Sequence, residues 1–213
     1  MEVIGYISRA LSSRDDPYSI IYFVIYYSFI VVAPVFISAS IYICLTKLIA
    51  WVENEGLQLH SRILRKKFIL WTFITADIIC TAVQIAGAAY TGNRESEDKD
   101  PRVANSILLA GLAIQSSFFL LYLGILNFFV ITVWRDPNFK TPFRKIRTFM
   151  GALGVSSLLV FLRTIFRVAE TSQGVSGYLS SHEAFFGALE FAPMILAVAI
   201  LAVWHPGNKF VCL

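Results

Sequence analysis

Residues 161–207 read FLRTIFRVAETSQGVSGYLSSHEAFFGALEFAPMILAVAILAVWHPG. Two segments apolar enough to span a bilayer flank a polar stretch. Arg163, Arg167, Glu170, Glu183 and Glu190 lie inside those segments or at their edges. An ionisable group at the centre of a bilayer costs about 2.5–3.5 kcal/mol even on the mildest scales, so such groups are rarely accidental. A chain that carries five of them here is expected to place its function here.

The rest of the sequence extends the same pattern. Of its 213 residues, 57% are hydrophobic and 15% charged, with a mean hydropathy of +0.67. A soluble domain would carry roughly 25% charged residues. The apolar residues form continuous blocks at 20–50, 68–90, 103–134, 148–168 and 185–204. A helix needs about 20 residues to cross about 30 Å of hydrocarbon. The first and third blocks exceed that length, which predicts tilt or extension into the interface. No alternating ten-residue pattern points to a β-barrel, and the start, MEVIGYISRALSS, lacks the apolar core and small-residue site of a signal peptide. The expected fold is an all-α integral membrane protein with five transmembrane helices.

Charge distribution sets the expected sidedness. Lys47, Arg62, Arg65, Lys66 and Lys67 lie in or beside one loop, and Arg135, Lys140, Arg144, Lys145 and Arg147 in another. The alternate loops are poorer: Arg94, Lys99 and Arg102 are diluted by four acids, and 171–184 has no Lys or Arg. The Lys/Arg bias places the rich loops and the C-terminus in the cytoplasm. These basic loops set topology and touch anionic headgroups; the net charge of +4 does not point to nucleic acid.

Catalytic constellations are missing. His60, His182 and His205 are divided between the two sides of the predicted bilayer and cannot share one zinc. There is no GxSxG, HExxH or P-loop, so no enzyme activity, metal or other cofactor is expected. Cys44, Cys80 and Cys212 lack CxxC spacing, and the first two read as small buried hydrophobes.

Helical rise gives each intramembrane polar group a depth. Asp77 and Gln115 fall near the midplane; Gln84, Arg163 and Glu190 fall in the outer half. Two polar layers are therefore expected, with an Arg163–Glu190 pair that neutralises both charges. Arg167, Glu170 and Glu183 are expected at the outer rim, where side chains reach the interface by snorkelling. The carboxylates outnumber the arginines, so an unpaired Asp77 either holds a proton or meets a cation. Pro34 and Pro193 lie inside apolar blocks, where each frees a carbonyl and predicts a kink.

At these residues the chain resembles the fungal lipid-translocating exporter family, also called the RTA-like family after resistance to aminocholesterol. The resemblance runs through EVIGYISRA at 2–10, APVFISASIYI at 33–43, FITADIICTAVQIAG at 73–87 and LLAGLAIQSSFF at 108–119. It continues through RTIFRVAE at 163–170, GYLSSHEAFF at 177–186 and HPG at 205–207. It implies a seven-helix bundle of the plasma membrane or endomembranes, associated with export of sphingoid long-chain bases and resistance to lipophilic toxicants. The five blocks would then be the last five of seven spans, and residues 1–213 a single RTA-like transmembrane domain truncated at its N-terminus. Glu190 stands where family members often carry Asp. The expected partners are membrane lipids, an amine-bearing sphingoid base or a sterol-like amphiphile. In the functional expectation, Asp77 and Glu190 meet the ammonium head and Arg163 holds Glu190 until substrate competes. The alternatives are a seven-helix sensor of membrane lipid state and an inactive fragment.

Overall fold

In hydrocarbon no water is present to satisfy backbone N–H and C=O groups, so an apolar spanning segment must bond them within itself as a helix. The computed structural model describes residues 20–54, 66–96, 102–135, 143–172 and 187–204. They form α1 (Ile20–Asn54), α2 (Lys66–Ser96), α3 (Arg102–Arg135), α4 (Phe143–Ser172), a π-helical turn (Gly187–Phe191) and α5 (Ala192–Val203). There is no strand among the described residues. The first four helices are long and apolar enough to cross a membrane, and a shorter apolar helix covers Leu189–Val203. The protein is an all-α, multi-pass membrane protein. At 34 residues, α3 is about 50 Å long by its helical rise, well beyond the hydrocarbon thickness.

Each helix packs on its sequence neighbour, and α1 also meets α4, which brings the helices together as a bundle. The outer faces carry large apolar groups: Trp71 is 71% exposed, and Ile78, Leu121 and Leu158 are also exposed. In water such a surface would aggregate; against lipid tails it costs nothing, so helix association depends on close packing instead. Gly87 and Gly111 provide it between α2 and α3. A Cβ at Gly87 would lie 3.0 Å from the Leu108 backbone nitrogen and 3.1 Å from its Cα. A Cβ at Gly111 would lie 3.0 Å from Gln84 Cγ.

The apolar interior is lopsided. The main cluster joins Tyr42, Leu45, Ile49, Phe73, Tyr122, Phe129, Phe149 and Leu153, near the C-terminal ends of α1 and α3 and the N-terminal ends of α2 and α4. Toward the opposite end, among the described residues, Val31, Ala88, Leu108 and Leu112 form a second, small cluster. Polar side chains occupy much of the remaining interior, which is where the candidate site lies.

Candidate functional site

Asp77 sits one turn above Phe73 on the inner face of α2 and is 2% exposed. Its Oδ2 accepts hydrogen bonds from Ser38 Oγ at 2.9 Å and Tyr42 Oη at 3.0 Å. Ser38 and Tyr42 are four residues apart, so they share one face of α1. The Tyr42 ring is held edge-on to Tyr122 at 4.7 Å between centroids and lies 5.5 Å from the Phe73 ring, which fixes where its hydroxyl points. No ion pair to Asp77 occurs among the described residues. Among the described residues, its carboxyl group is met by these two hydroxyls. Ser38 Oγ also lies 3.0 Å from the Val35 carbonyl, so this donor has a second acceptor to turn to.

A second polar group ties α1, α4 and the π-helical turn together. Arg163 Nη2 donates to Glu190 Oε1 at 3.1 Å and to the Ile30 carbonyl at 3.1 Å. Arg167 Nε lies 3.6 Å from the same Glu190 oxygen, while Arg167 Nη1 donates to Glu170 Oε2 at 3.1 Å. Glu190 is 1% exposed, and its Oε2 is buried without a hydrogen-bond partner. Two arginines and two carboxylates make the group neutral as a set, the condition under which buried ions are tolerated. The expected Arg163–Glu190 pair is present. Arg167 differs from its expectation: it is 8% exposed and bends inward to Glu190 rather than out to the rim. The reason is Coulombic, since one carboxylate inside the bundle attracts both cations at i and i+4 of α4. Glu183 lies outside the described residues.

Gln115 pairs with Gln84, whose Nε2 donates to Gln115 Oε1 at 2.6 Å, while Asp77, expected at a similar depth to Gln115, bonds to α1 instead. Side chains on a helix lean toward its N-terminus. In the antiparallel α2 and α3, Gln84 and Gln115 therefore lean toward each other. Asp77 leans away from Gln115 and meets α1. Counting rise alone gave the depths of the Cα atoms and missed this convergence. Ser38 and Tyr42 were missed as well. Their signal was a serine and a tyrosine at i and i+4 inside the apolar block 20–50.

Pro193 falls in the first turn of α5, directly after the π-helical turn that carries Glu190. A proline there needs no N–H of its own, and single π turns inside helices recur at functional sites. On the lipid side of α2 and α3 runs a groove of about 550 Å³. Ala76, Cys80 and Gly111 are small or recessed within it, and Trp71, Ile79, Ile114 and Phe118 border them. Among the described residues, no three His, Cys, Asp or Glu side chains group as a metal set.

The described interior thus combines a buried carboxylate held by hydroxyls, an ion-paired group of two arginines and two carboxylates, and an apolar groove at its outer face. The chain is 32% identical over 208 residues to Protoporphyrin uptake protein 1 of Saccharomyces cerevisiae, covering 95% of this chain and 64% of that protein. It is 29% identical over 204 residues to Protein RTM1 of the same species, covering 95% and 63%. To the Sphingoid long-chain base transporter RSB1 of S. cerevisiae strain Lalvin EC1118 it is 28% identical over 243 residues, covering 99% and 62%. The chain thus spans just under two-thirds of the length of these relatives. No solved structure matches it. The family described as RTA1 like protein matches residues 1–211. With the family's pattern running from the first residue almost to the last, and the polar interior built from its stretches, the chain belongs to the RTA1-like family.

Proposed function

We propose that this bundle is the lipid-handling part of a transporter-like membrane protein that moves an amphipathic, amine-bearing lipid toward the outer leaflet. The observation that carries this reading is Asp77, a buried carboxylate met by hydroxyls and by no cation among the described residues. An ammonium head arriving there would meet a carboxylate in a low-dielectric site, where the attraction is strong. Ser38 would turn to the Val35 carbonyl and leave Oδ2 to the ligand. Glu190, already held by Arg163 and Arg167, is a weaker candidate for the head group and a better one for a latch between α4 and the π-helical turn. The name of one relative, a sphingoid long-chain base transporter, supports the amine. Another relative is named for protoporphyrin uptake, so the cargo of this chain has to be tested directly.

The proposed sidedness has Lys47, Arg135 and Arg147 on the cytoplasmic side. All three are exposed, and they lie toward the same end of the antiparallel helices, with Arg147 stacked 5.3 Å above the Trp134 ring. The proposed domain is a single one over residues 1–213, in a plasma membrane or endomembrane.

The test is flux of a labelled sphingoid base in liposomes containing only the purified protein, with the matching variant of a full-length relative run in parallel. Asp77→Asn keeps the shape and can still accept from both hydroxyls, but it removes the charge. It is expected to lower flux about tenfold, the loss of one charge-assisted contact. Unchanged flux in Asp77→Asn removes Asp77 from the head-group site. No flux in correctly folded wild-type protein of either length supports the sensor instead, a protein that changes lipid asymmetry through partners.

A further inference from the structure

Pro34 lies within α1, which remains helical on both sides of it. A proline has no N–H, so it offers no bond to the carbonyl four residues before it, and its ring pushes that carbonyl out of line. Counting back four residues gives Ile30. The Ile30 carbonyl is the one that accepts from Arg163 Nη2, at 3.1 Å, across 133 residues of sequence. The same Nη2 atom donates to Glu190 Oε1. Arg163 is 5% exposed, so no water competes for these acceptors as it would at a surface.

We propose that Pro34 is a positioning residue for the Arg163–Glu190 latch: by leaving the Ile30 carbonyl open, it gives the guanidinium a second anchor on α1. With both acceptors in place, one nitrogen bridges α1 and the π-helical turn. The carbonyl is neutral and fixed in the backbone, so it holds Arg163 in place without neutralising it, and the full charge remains for Glu190. Residue 34 with an N–H would bond the Ile30 carbonyl within the helix and straighten α1. Arg163 would lose this anchor on α1, and Glu190 would be released more often. This deepens the transporter reading, which supplies the reason for a latch, but the coupling is a property of the protein alone.

The test uses a carboxyl probe and no lipid cargo. Dicyclohexylcarbodiimide, an apolar reagent, modifies carboxyl groups within membranes, and peptide mass spectrometry resolves Glu190 from Asp77. The purified chain in detergent is compared as wild type, Pro34→Ala, Arg163→Gln and the double variant. Pro34→Ala is expected to raise modification of Glu190 about fivefold, one hydrogen bond's worth of opening, with modification of Asp77 unchanged. In the Arg163→Gln background, Pro34→Ala is expected to add nothing, because the residue through which it acts is gone. An equal increase in both backgrounds overturns the proposal and leaves Pro34 as a kink alone. No increase in either background overturns it too. Pro34→Gly also restores the N–H while keeping α1 pliable, and it decides the matter where the alanine variant does not fold. Loss of lipid flux in the wild type, with the labelling pattern intact, would count against the transporter reading and not against the positioning role.

Discussion

Arg163→Met is expected to destabilise the bundle by about 3–5 kcal/mol, the usual cost of removing one partner from a buried ion pair. The substitution keeps much of the side-chain length and its apolar packing, so the loss is electrostatic. Glu190 would retain only Arg167 Nε, at 3.6 Å, with its Oε2 already without a hydrogen-bond partner. The Ile30 carbonyl would lose its side-chain donor as well. The control is the double variant Arg163→Met with Glu190→Gln, which removes the stranded charge. It is expected to be more stable than the single variant, because uncompensated charge costs more than a buried amide. Thermal unfolding in detergent, followed by loss of the monodisperse species, measures both. A single variant as stable as wild type would mean that the pair contributes nothing to holding α4 and the π-helical turn together.

Gly87→Leu is expected to be comparably severe for a steric reason. Its Cβ would lie 3.0–3.2 Å from the N, Cα and Cβ atoms of Leu108, most of which are backbone and cannot swing aside. The helices α2 and α3 must separate, which breaks the 2.6 Å Gln84–Gln115 bond and removes close-packing contacts on which membrane helices depend. Overpacking costs about 1–3 kcal/mol and occasionally more; with the glutamine bond lost as well, about 3 kcal/mol is expected here. Gly124, Gly151 and Gly154 have no atom within 4 Å of an added Cβ. Gly→Ala there is expected to be neutral or to stabilise by up to about 1 kcal/mol, from the backbone entropy of glycine in a helix. The same unfolding assay separates the two groups, and a Gly87→Leu protein that unfolds with the wild type would sink the close-contact account.

Much of the polar interior that forms the candidate site is legible in the sequence, and the parts that are not share a cause. Asp77, Gln84, Arg163 and Glu190 stood out because a polar side chain in an apolar block is costly wherever it points, so its presence alone signals a buried partner. The partner's identity depends on which neighbouring helix lies opposite and on how the side chains lean. Arg163 found Glu190 because each was the nearest opposite charge at a similar depth. Gln115 found Gln84 instead of Asp77 because antiparallel side chains lean toward their own N-termini, a shift of about one turn that rise alone does not show. Ser38 gives little signal because a serine hydroxyl is inexpensive in a membrane helix, bonding back to the preceding turn as Ser40 does to the Phe36 carbonyl, and Tyr42 because its ring reads as one more aromatic in an apolar block.

The sequence by itself determined that the chain is an all-α membrane protein of the RTA1-like family, with its costly groups concentrated in 161–207. Those properties depend on the length and composition of contiguous segments and on the order of short motifs, and both are local. Only the tertiary structure decided that Asp77 is held by α1 hydroxyls, that Arg167 turns inward to Glu190, and that the carbonyl freed by Pro34 is gripped by Arg163. Each of these joins residues from different helices. Such contacts are fixed by helix register and rotation, to which hydrophobic content is nearly blind when helices are apolar on every face.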